Sequence, residues 1–346
     1  MRSTLRALRF LAATTLLPTS EEPGEALELR LPDGWTCEAD FYPARGRSAG
    51  LILFVHGMSP AGRRDPRMCK ASRALAAAGF HVVTPRVPDF EALRIDFETS
   101  AHIERCVRAA HARTDWSGGG QIGLFSVSYS AGVSLIASTH PGVAPLLSVI
   151  CALGTFSNVV IWTRFLMTHP EADEYGRLIV FRNLLHRVIG PRPAVERGLD
   201  LALNDHWYKL ERPHFPDYLE TIEAEDRQIL SGVRYEYAEW SRYGTRLLEL
   251  ASGDFDPLDV LARADRLRVP TVLLHGADDR VVPPEESRSL YAEIQRHGGP
   301  ARLVVTPLLG HGEAAFGLRS LTDALSVIGA FAEFFGRVAA GSTRAA

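Results

Sequence analysis

The stretch that most constrains the fold is residues 121–135, where an apolar run turns abruptly into small residues. The run 122–127 is typical of a buried strand, and the small residues that follow Ser128 are typical of a helix start. A strand that turns directly into a helix strains its apex residue and leaves room only for small side chains two positions away, here Ser126 and Ser130. Such a nucleophile elbow presents the Ser128 hydroxyl to the first N–H groups of the helix, where negative charge develops during acyl transfer.

Ser130 is an alternative to Ser128 as the reactive serine of this stretch. The usual pattern is G-x-S-x-G, and both of its glycines are replaced by serine when the motif is centred on Ser128. A pattern centred on Ser130 ends in Gly132 instead. We favour Ser128 because the strand before it then has the expected length. A serine-rich turn without chemistry is the remaining interpretation.

Composition indicates an ordinary globular protein. The chain has 346 residues, 46% hydrophobic and 23% charged, enough for one large domain or a domain with an insertion. A net charge of −3 argues against a nucleic-acid partner. The four cysteines are scattered, with no C-x-x-C and no histidine spacing suited to zinc, which predicts free buried thiols and no metal site; these are Cys37, Cys69, Cys106 and Cys151.

The N-terminal segment 1–24 faintly resembles a secretory signal. Residues 1–9 carry three arginines and residues 10–17 are mostly apolar, but no A-x-A cleavage pattern follows. The apolar run is too short to span a membrane. We therefore expect a loosely attached N-terminal helix, a cytoplasmic protein and no transmembrane span.

The order of patterns along the chain predicts an α/β fold with an insertion. Alternating residues predict a hairpin at 26–31 and 36–42, and apolar runs predict strands at 51–55, 80–84, 122–127, 146–153, 269–274 and 302–306. Helical patterns separate them, at 66–78, 95–113, 284–294 and much of 313–338. Strands alternating with helices indicate a mostly parallel sheet with helices on both faces. Residues 156–250 show only helical patterns and many aromatic residues, which predicts a helical cap between two halves of a core, 25–155 and 251–346.

Four segments, all after predicted strands, carry a resemblance to a known family. They are H-G-M, S-V-S-Y-S-A-G, H-G-A-D-D-R-V-V-P and G-H-G. A serine elbow, an acidic loop and a late histidine follow one another in the order of the α/β-hydrolase fold. From about residue 25 to the C-terminus, the chain resembles the α/β-hydrolase superfamily.

The resemblance implies a role for each of five residues. Ser128 would be the nucleophile, His311 the base that takes its proton, and Asp279 the acid that orients and stabilises the imidazolium. The backbone N–H groups of Met58 and Tyr129 would form the oxyanion hole.

Other acids and histidines compete with these assignments. Asp278 is the neighbour of the implied acid, and Asp254 and Asp256 lie in an earlier turn-like run, S-G-D-F-D-P. His56 and His275 precede glycines at strand ends, which predicts that they shape their loops. The remaining candidates, His102 and His111, lie on a predicted helix without apparent partners.

Together these features predict a serine hydrolase with a helical cap. It would cleave a carboxylic ester through an acyl-enzyme, with a thioester or amide as less favoured substrates, and would act on a small, apolar acyl compound. No cofactor or metal is expected. The alternatives are an acyltransferase or C–C hydrolase on the same fold, and a non-catalytic ligand-binding protein.

Overall fold

An eight-stranded sheet forms the framework of the protein. The structure is a computed structural model that describes residues 1–18, 22–310 and 321–343, without the side chains of residues 251, 252 and 254. The strands are β1 Glu25–Arg30, β2 Thr36–Tyr42, β3 Leu51–Val55, β4 His81–Pro85, β5 Ile122–Val127, β6 Leu147–Leu153, β7 Thr271–Gly276 and β8 Ala301–Thr306. Their order across the sheet is β1-β2-β4-β3-β5-β6-β7-β8.

The sheet is mostly parallel. The predicted hairpin of β1 and β2 is antiparallel, and β2 also pairs antiparallel with β4. All other neighbouring strands run parallel. Every residue of β3 is buried, as expected for a strand covered on both faces. The predicted α/β fold is therefore confirmed.

Fifteen helices are found in the described part of the chain. They are α1 Arg2–Leu16, α2 Pro66–Ala77, α3 Pro88–Glu91, α4 Thr99–His111, α5 Thr114–Ser117, α6 Tyr129–Ser138, α7 Val159–Thr168, α8 Glu174–Leu184, α9 His186–Ile189, α10 Pro193–Tyr208, α11 His214–Leu219, α12 Ala224–Tyr235, α13 Tyr237–Ala251, α14 Pro284–Arg296 and α15 Leu321–Gly341.

The chain divides into two compact units. The first comprises Met1–Ala92, Asp96–Ser157 and Leu258–Ala346 and contains the sheet. The second comprises Leu93–Ile95 and Asn158–Pro257 and, over its described residues, has helices α7 to α13 and no strand. The helical character predicted for 156–250 is thus observed, while its role as a cap stays a prediction.

The aromatic residues of the second unit have mixed environments. Trp162 and Phe181 are buried and contribute to the core of this unit. Tyr208, Tyr235 and Tyr237 are about half exposed. These three side chains therefore lie at the surface and not in the core of this unit.

Helix α1 is an integral part of the first unit. Ala7 and Phe10 are buried, and the Phe10 ring lies 4.8 Å from the Phe331 ring and 5.7 Å from the Phe335 ring of α15. The prediction of a helix is confirmed, but the prediction of loose attachment is wrong. Phe10, the first residue of the apolar run that resembles a signal sequence, instead packs against α15.

Helix α15 is the one described helix that is long and apolar enough to cross a membrane. Its residues Phe334 and Val338 are fully buried, and the Phe334 ring lies 5.7 Å from the Phe125 ring of β5. The buried part of its apolar surface therefore packs against the sheet.

Candidate active site

The turn between β5 and α6 has the geometry of a nucleophile elbow. The strand ends at Val127, the helix begins at Tyr129, and Ser128 between them has φ 59° and ψ −136°. A non-glycine residue in such a region costs about 1–3 kcal/mol and persists only where its surroundings hold it. The Ser128 N–H donates to the Leu153 carbonyl oxygen at 2.7 Å, which anchors the turn to β6. The predicted strand and helix start are both confirmed.

Ser130, the alternative nucleophile, is fully buried. Its Oγ lies 2.8 Å from the Val127 carbonyl oxygen and 3.2 Å from the Val55 carbonyl oxygen. It also accepts the Val127 N–H at 3.2 Å. These bonds fasten the elbow to β3 and β5, while Ser128 is partly exposed. The Ser130 hydroxyl is therefore engaged in structural hydrogen bonds, which favours the motif centred on Ser128.

Small residues are required around the elbow by close packing. A Cβ atom added to Gly132 would overlap the ring of Phe156. A Cβ added to Gly57 would lie 3.4 Å from the Ser128 Cβ, so the loop after β3 passes directly beside the elbow.

We expect the Gly132→Ala variant to be less stable by about 1–3 kcal/mol, because the added methyl must displace the Phe156 ring. The Gly336→Ala variant in α15 is the matched control. Its Cβ would meet Ser3 at an ordinary 3.5 Å, and alanine is the better helix former by about 0.5–1 kcal/mol. Urea unfolding of both variants measures the difference, and equal stability of the two would contradict this packing.

The loop after β3 is shaped by His56. This side chain is fully buried, and burial lowers the pKa of the imidazole, which is therefore neutral. Its Nδ1–H donates to the Gly57 carbonyl oxygen at 2.8 Å, and its Nε2 accepts the Val87 N–H at 3.2 Å. The predicted loop-shaping role of His56 is confirmed.

The two predicted oxyanion donors, the backbone N–H groups of Met58 and Tyr129, belong to the loop after β3 and to the start of α6. Met58 comes after Gly57 in the loop beside the elbow, and Tyr129 is the first residue of α6. The first N–H groups of a helix have no acceptor within the helix and carry the positive end of its dipole. Both backbone positions are therefore at the carboxyl end of the parallel strands β3 and β5.

The loop after β7 holds Asp279 in a fixed orientation. Asp279 is 7% exposed, and its Oδ1 accepts the N–H groups of Val281 at 2.9 Å and Val282 at 3.0 Å. Its Oδ2 lies 3.6 Å from His275 Nε2. Asp278 is exposed. The rigid, buried carboxylate favours Asp279 over its neighbour as the acid.

His275 supports the same loop. Its Nε2–H donates to the Val282 carbonyl oxygen at 2.8 Å, so Nδ1 accepts the Ser287 hydroxyl at 2.6 Å. The ring is fully buried between these partners. Its predicted role in shaping the loop is confirmed.

The alternative acids, Asp254 and Asp256, lie before β7 and not in the loop after it. Asp256 is exposed in a 3₁₀ segment, Ser252–Leu258, and belongs to the second unit up to Pro257. The side chain of Asp254 lies outside the described part of the structure. The alternative acids therefore stay predictions.

The predicted base, His311, lies outside the described residues. The segment before it follows β8, which pairs in parallel with β7. A Cβ added to Gly276 would overlap the Leu309 carbonyl oxygen, so this segment contacts the start of the Asp279 loop. Strand β6 alone separates β5 from β7, a distance of about 10 Å between the outer strands. The structure thus gathers Ser128, Asp279 and both oxyanion positions at one edge of the sheet.

His102 differs from its prediction. The sequence suggested a helical histidine without partners, but its Nε2 lies 2.9 Å from the Arg86 carbonyl oxygen and 3.8 Å from the Cys37 Sγ. Cys106 lies one turn further along α4. The i, i+4 spacing of His102 and Cys106 was the available signal, but Cys37 is distant in the sequence. All four cysteines are buried and unbridged, as predicted.

Comparison with solved structures identifies the fold. The chain matches Pyrococcus horikoshii acylaminoacyl peptidase with a TM-score of 0.52 and 16% identity, covering 93% of this chain and 42% of that one. It matches a Mycobacterium tuberculosis puromycin-hydrolyzing peptidase with a TM-score of 0.52 and 17% identity, covering 93% and 40% of the two chains. Porphyromonas gingivalis dipeptidyl peptidase 4 gives 0.51 and 11%, covering 91% and 35%. The chain spans about two fifths of the length of the first two peptidases.

A sequence profile agrees with this assignment over a short region. The Hydrolase_4 family, described as serine aminopeptidase, S33, matches residues 258–312, which include Asp279 and His311 but not Ser128. A comparison with curated protein sequences gave no match. By its sheet, its elbow and these similarities, the chain has the α/β-hydrolase fold.

Proposed function

We propose that this α/β-hydrolase is a serine hydrolase that cleaves a carboxylic ester through an acyl-enzyme, with Ser128 as the nucleophile. The observation that carries the proposal is the φ of 59° at Ser128, between a buried strand and a helix N-terminus. Backbone strain of this kind is concentrated at functional sites, because elsewhere it is a cost without a benefit. The alternative is a serine-rich turn without chemistry. Such a turn would give no reason to keep serine at this position, since glycine adopts a positive φ without strain.

The reaction proposed has two steps. The Ser128 hydroxyl attacks the ester carbonyl while His311 takes its proton, and His311 then protonates the leaving alcohol. Water, deprotonated by the same histidine, attacks the acyl-enzyme, and the histidine returns this proton to Ser128 Oγ as the carboxylic acid leaves. Asp279 holds the imidazole tautomer and stabilises the imidazolium. Support for this role comes from the two backbone N–H bonds that fix its carboxylate.

The oxyanion of each tetrahedral intermediate would be bound by the N–H groups of Met58 and Tyr129. Two observations support this: a Cβ added to Gly57 would lie only 3.4 Å from the Ser128 Cβ, and Tyr129 is the first residue of α6. Each donor of this kind contributes about 10²–10³-fold in rate. The chemistry needs no cofactor.

A second candidate function is hydrolysis of an amide or peptide bond. It is favoured by the match of residues 258–312 to a family described as serine aminopeptidase. The same triad and oxyanion hole would serve, since the acyl-enzyme is common to both reactions and only the leaving group differs.

We expect the purified chain to hydrolyse p-nitrophenyl esters, with kcat/KM reaching a maximum at one acyl chain length, because a pocket of fixed size accepts one length best. The matched amide substrates are amino-acid 4-nitroanilides, with and without a free amino group. Cleavage of their amide bond releases a chromophore comparable to that of the esters. Hydrolysis of anilides with little ester activity would replace the ester proposal by the peptidase. Product analysis with added alcohols separates hydrolysis from acyl transfer. If neither the esters nor the anilides were turned over, a ligand-binding protein would be favoured instead.

A further inference from the structure

A cluster of soft metal ligands lies away from the elbow, between β2 and α4. Cys37 belongs to β2, and His102 and Cys106 lie four residues apart on α4, so their side chains share one helix face. One potential ligand atom from each of the three lies within 4.8 Å of the other two. No catalytic role proposed above uses these residues.

A backbone oxygen completes the set of donors. The Arg86 carbonyl oxygen lies 3.3 Å from the Cys37 Sγ and 2.9 Å from His102 Nε2. The Cys37 Sγ and His102 Nε2 are 3.8 Å apart. With Zn–S near 2.3 Å and Zn–N near 2.0 Å, a tetrahedral zinc ion holds sulfur and nitrogen about 3.5 Å apart. The three separations among Cys37, His102 and the Arg86 oxygen are thus each within about 0.5 Å of those in a tetrahedral zinc site, and Cys106 lies within 4.8 Å of Cys37 and His102.

Burial and charge decide which ion fits. Cys106 is fully buried and Cys37 is 6% exposed, so a charged site here must be neutralised locally. Two thiolates and a neutral imidazole carry a charge of −2, which balances a divalent cation and leaves Cu(I) with an uncompensated negative charge. Thiolates and imidazole favour zinc over calcium or magnesium, which prefer oxygen ligands.

We propose that Cys37, Cys106, His102 and the Arg86 carbonyl oxygen bind one zinc ion, which ties α4 to β2. In the metal-free protein the His102 Nε2–H donates to the Arg86 oxygen, and this bond keeps the ring near its ligating position. On binding, the imidazole gives up its Nε2 proton and takes one at Nδ1, so the ring stays neutral, and the two thiol protons are released. A closed four-coordinate site without an open position is structural rather than catalytic.

The first test is metal titration of the untagged, fully reduced and metal-free full chain. We expect one equivalent of Co(II) to bind with a thiolate charge-transfer absorption, Zn(II) to displace it, and the melting temperature to rise with zinc. Cys37→Ser and Cys106→Ser should each weaken binding at least tenfold. Cys69→Ser and Cys151→Ser, which alter buried cysteines outside the cluster, are the matched controls and should bind as the native chain does.

A second measurement needs no variant. The X-ray absorption spectrum of the zinc-loaded native chain should show two sulfur ligands at about 2.3 Å and two nitrogen or oxygen ligands at about 2.0–2.1 Å. Absence of stoichiometric binding, a shell without sulfur, or unchanged binding in the cluster variants would overturn the proposal. A Cys37–Cys106 disulfide in aerobically purified protein, together with no metal uptake after reduction, would overturn it in favour of a redox pair.

Discussion

Replacing Ser128 with alanine should lower kcat by about 10⁶-fold, the loss seen when the nucleophile of a serine-protease triad is removed. The residual rate would come from the oxyanion donors and substrate binding alone. Alanine has the same backbone restrictions as serine, so the strained turn at φ 59° should be kept and the melting temperature should change little. Steady-state kinetics on the best ester substrate, with thermal unfolding as the folding check, measures both quantities.

Ser130→Ala is the matched control for that result. Its Oγ satisfies the Val127 N–H and lies against the carbonyl oxygens of Val127 and Val55, so its removal should cost about 1–3 kcal/mol of stability. Turnover by the folded fraction should fall by no more than about tenfold, since structural distortion of the elbow is indirect. If Ser130→Ala abolished turnover and Ser128→Ala did not, the assignment of the nucleophile would be reversed.

Replacing Asp279 with asparagine should lower kcat by about 10⁴-fold, as the equivalent change does in a chymotrypsin-type triad. The amide oxygen can still accept the N–H groups of Val281 and Val282, so the loop should be retained. The loss would arise because the neutral amide neither stabilises the imidazolium nor holds the correct tautomer. The ratio of kcat values between native and variant enzymes, at matched thermal stability, measures this effect.

Asp278→Asn is the paired control, because it makes the same chemical change one residue away on an exposed side chain. We expect turnover within a few-fold of the native value. A severe loss with Asp278→Asn and a mild one with Asp279→Asn would exchange the two roles. A severe loss only with Asp256→Asn would move the acid to the run before β7.

Local sequence patterns were sufficient where a residue's environment is set by its neighbours in the chain. The elbow strand, the hairpin and the buried strand β3 were predicted to within a residue, because alternation and continuous apolar runs report directly on how a strand is covered. Strands β4 and β7 were placed one or two residues too early, since propensity does not determine where a strand end lies.

Long-range packing was less accessible. The attachment of α1 depends on Phe10 meeting Phe331 and Phe335, which are more than three hundred residues away. The cluster of Cys37, His102 and Cys106 depends on β2 lying beside α4. Neither contact leaves a trace in local composition, so both appear only when the chain is folded. The choice between Ser128 and Ser130 likewise depended on contacts with β3 that the motif alone does not contain.

The central claim, that Ser128 is an activated nucleophile, is tested most directly by labelling the native chain with a fluorophosphonate and mapping the modified peptide by mass spectrometry. The account predicts stoichiometric labelling at Ser128, lost on heat denaturation and absent in Ser128→Ala. Labelling at Ser130, or no labelling of the folded protein, would contradict it.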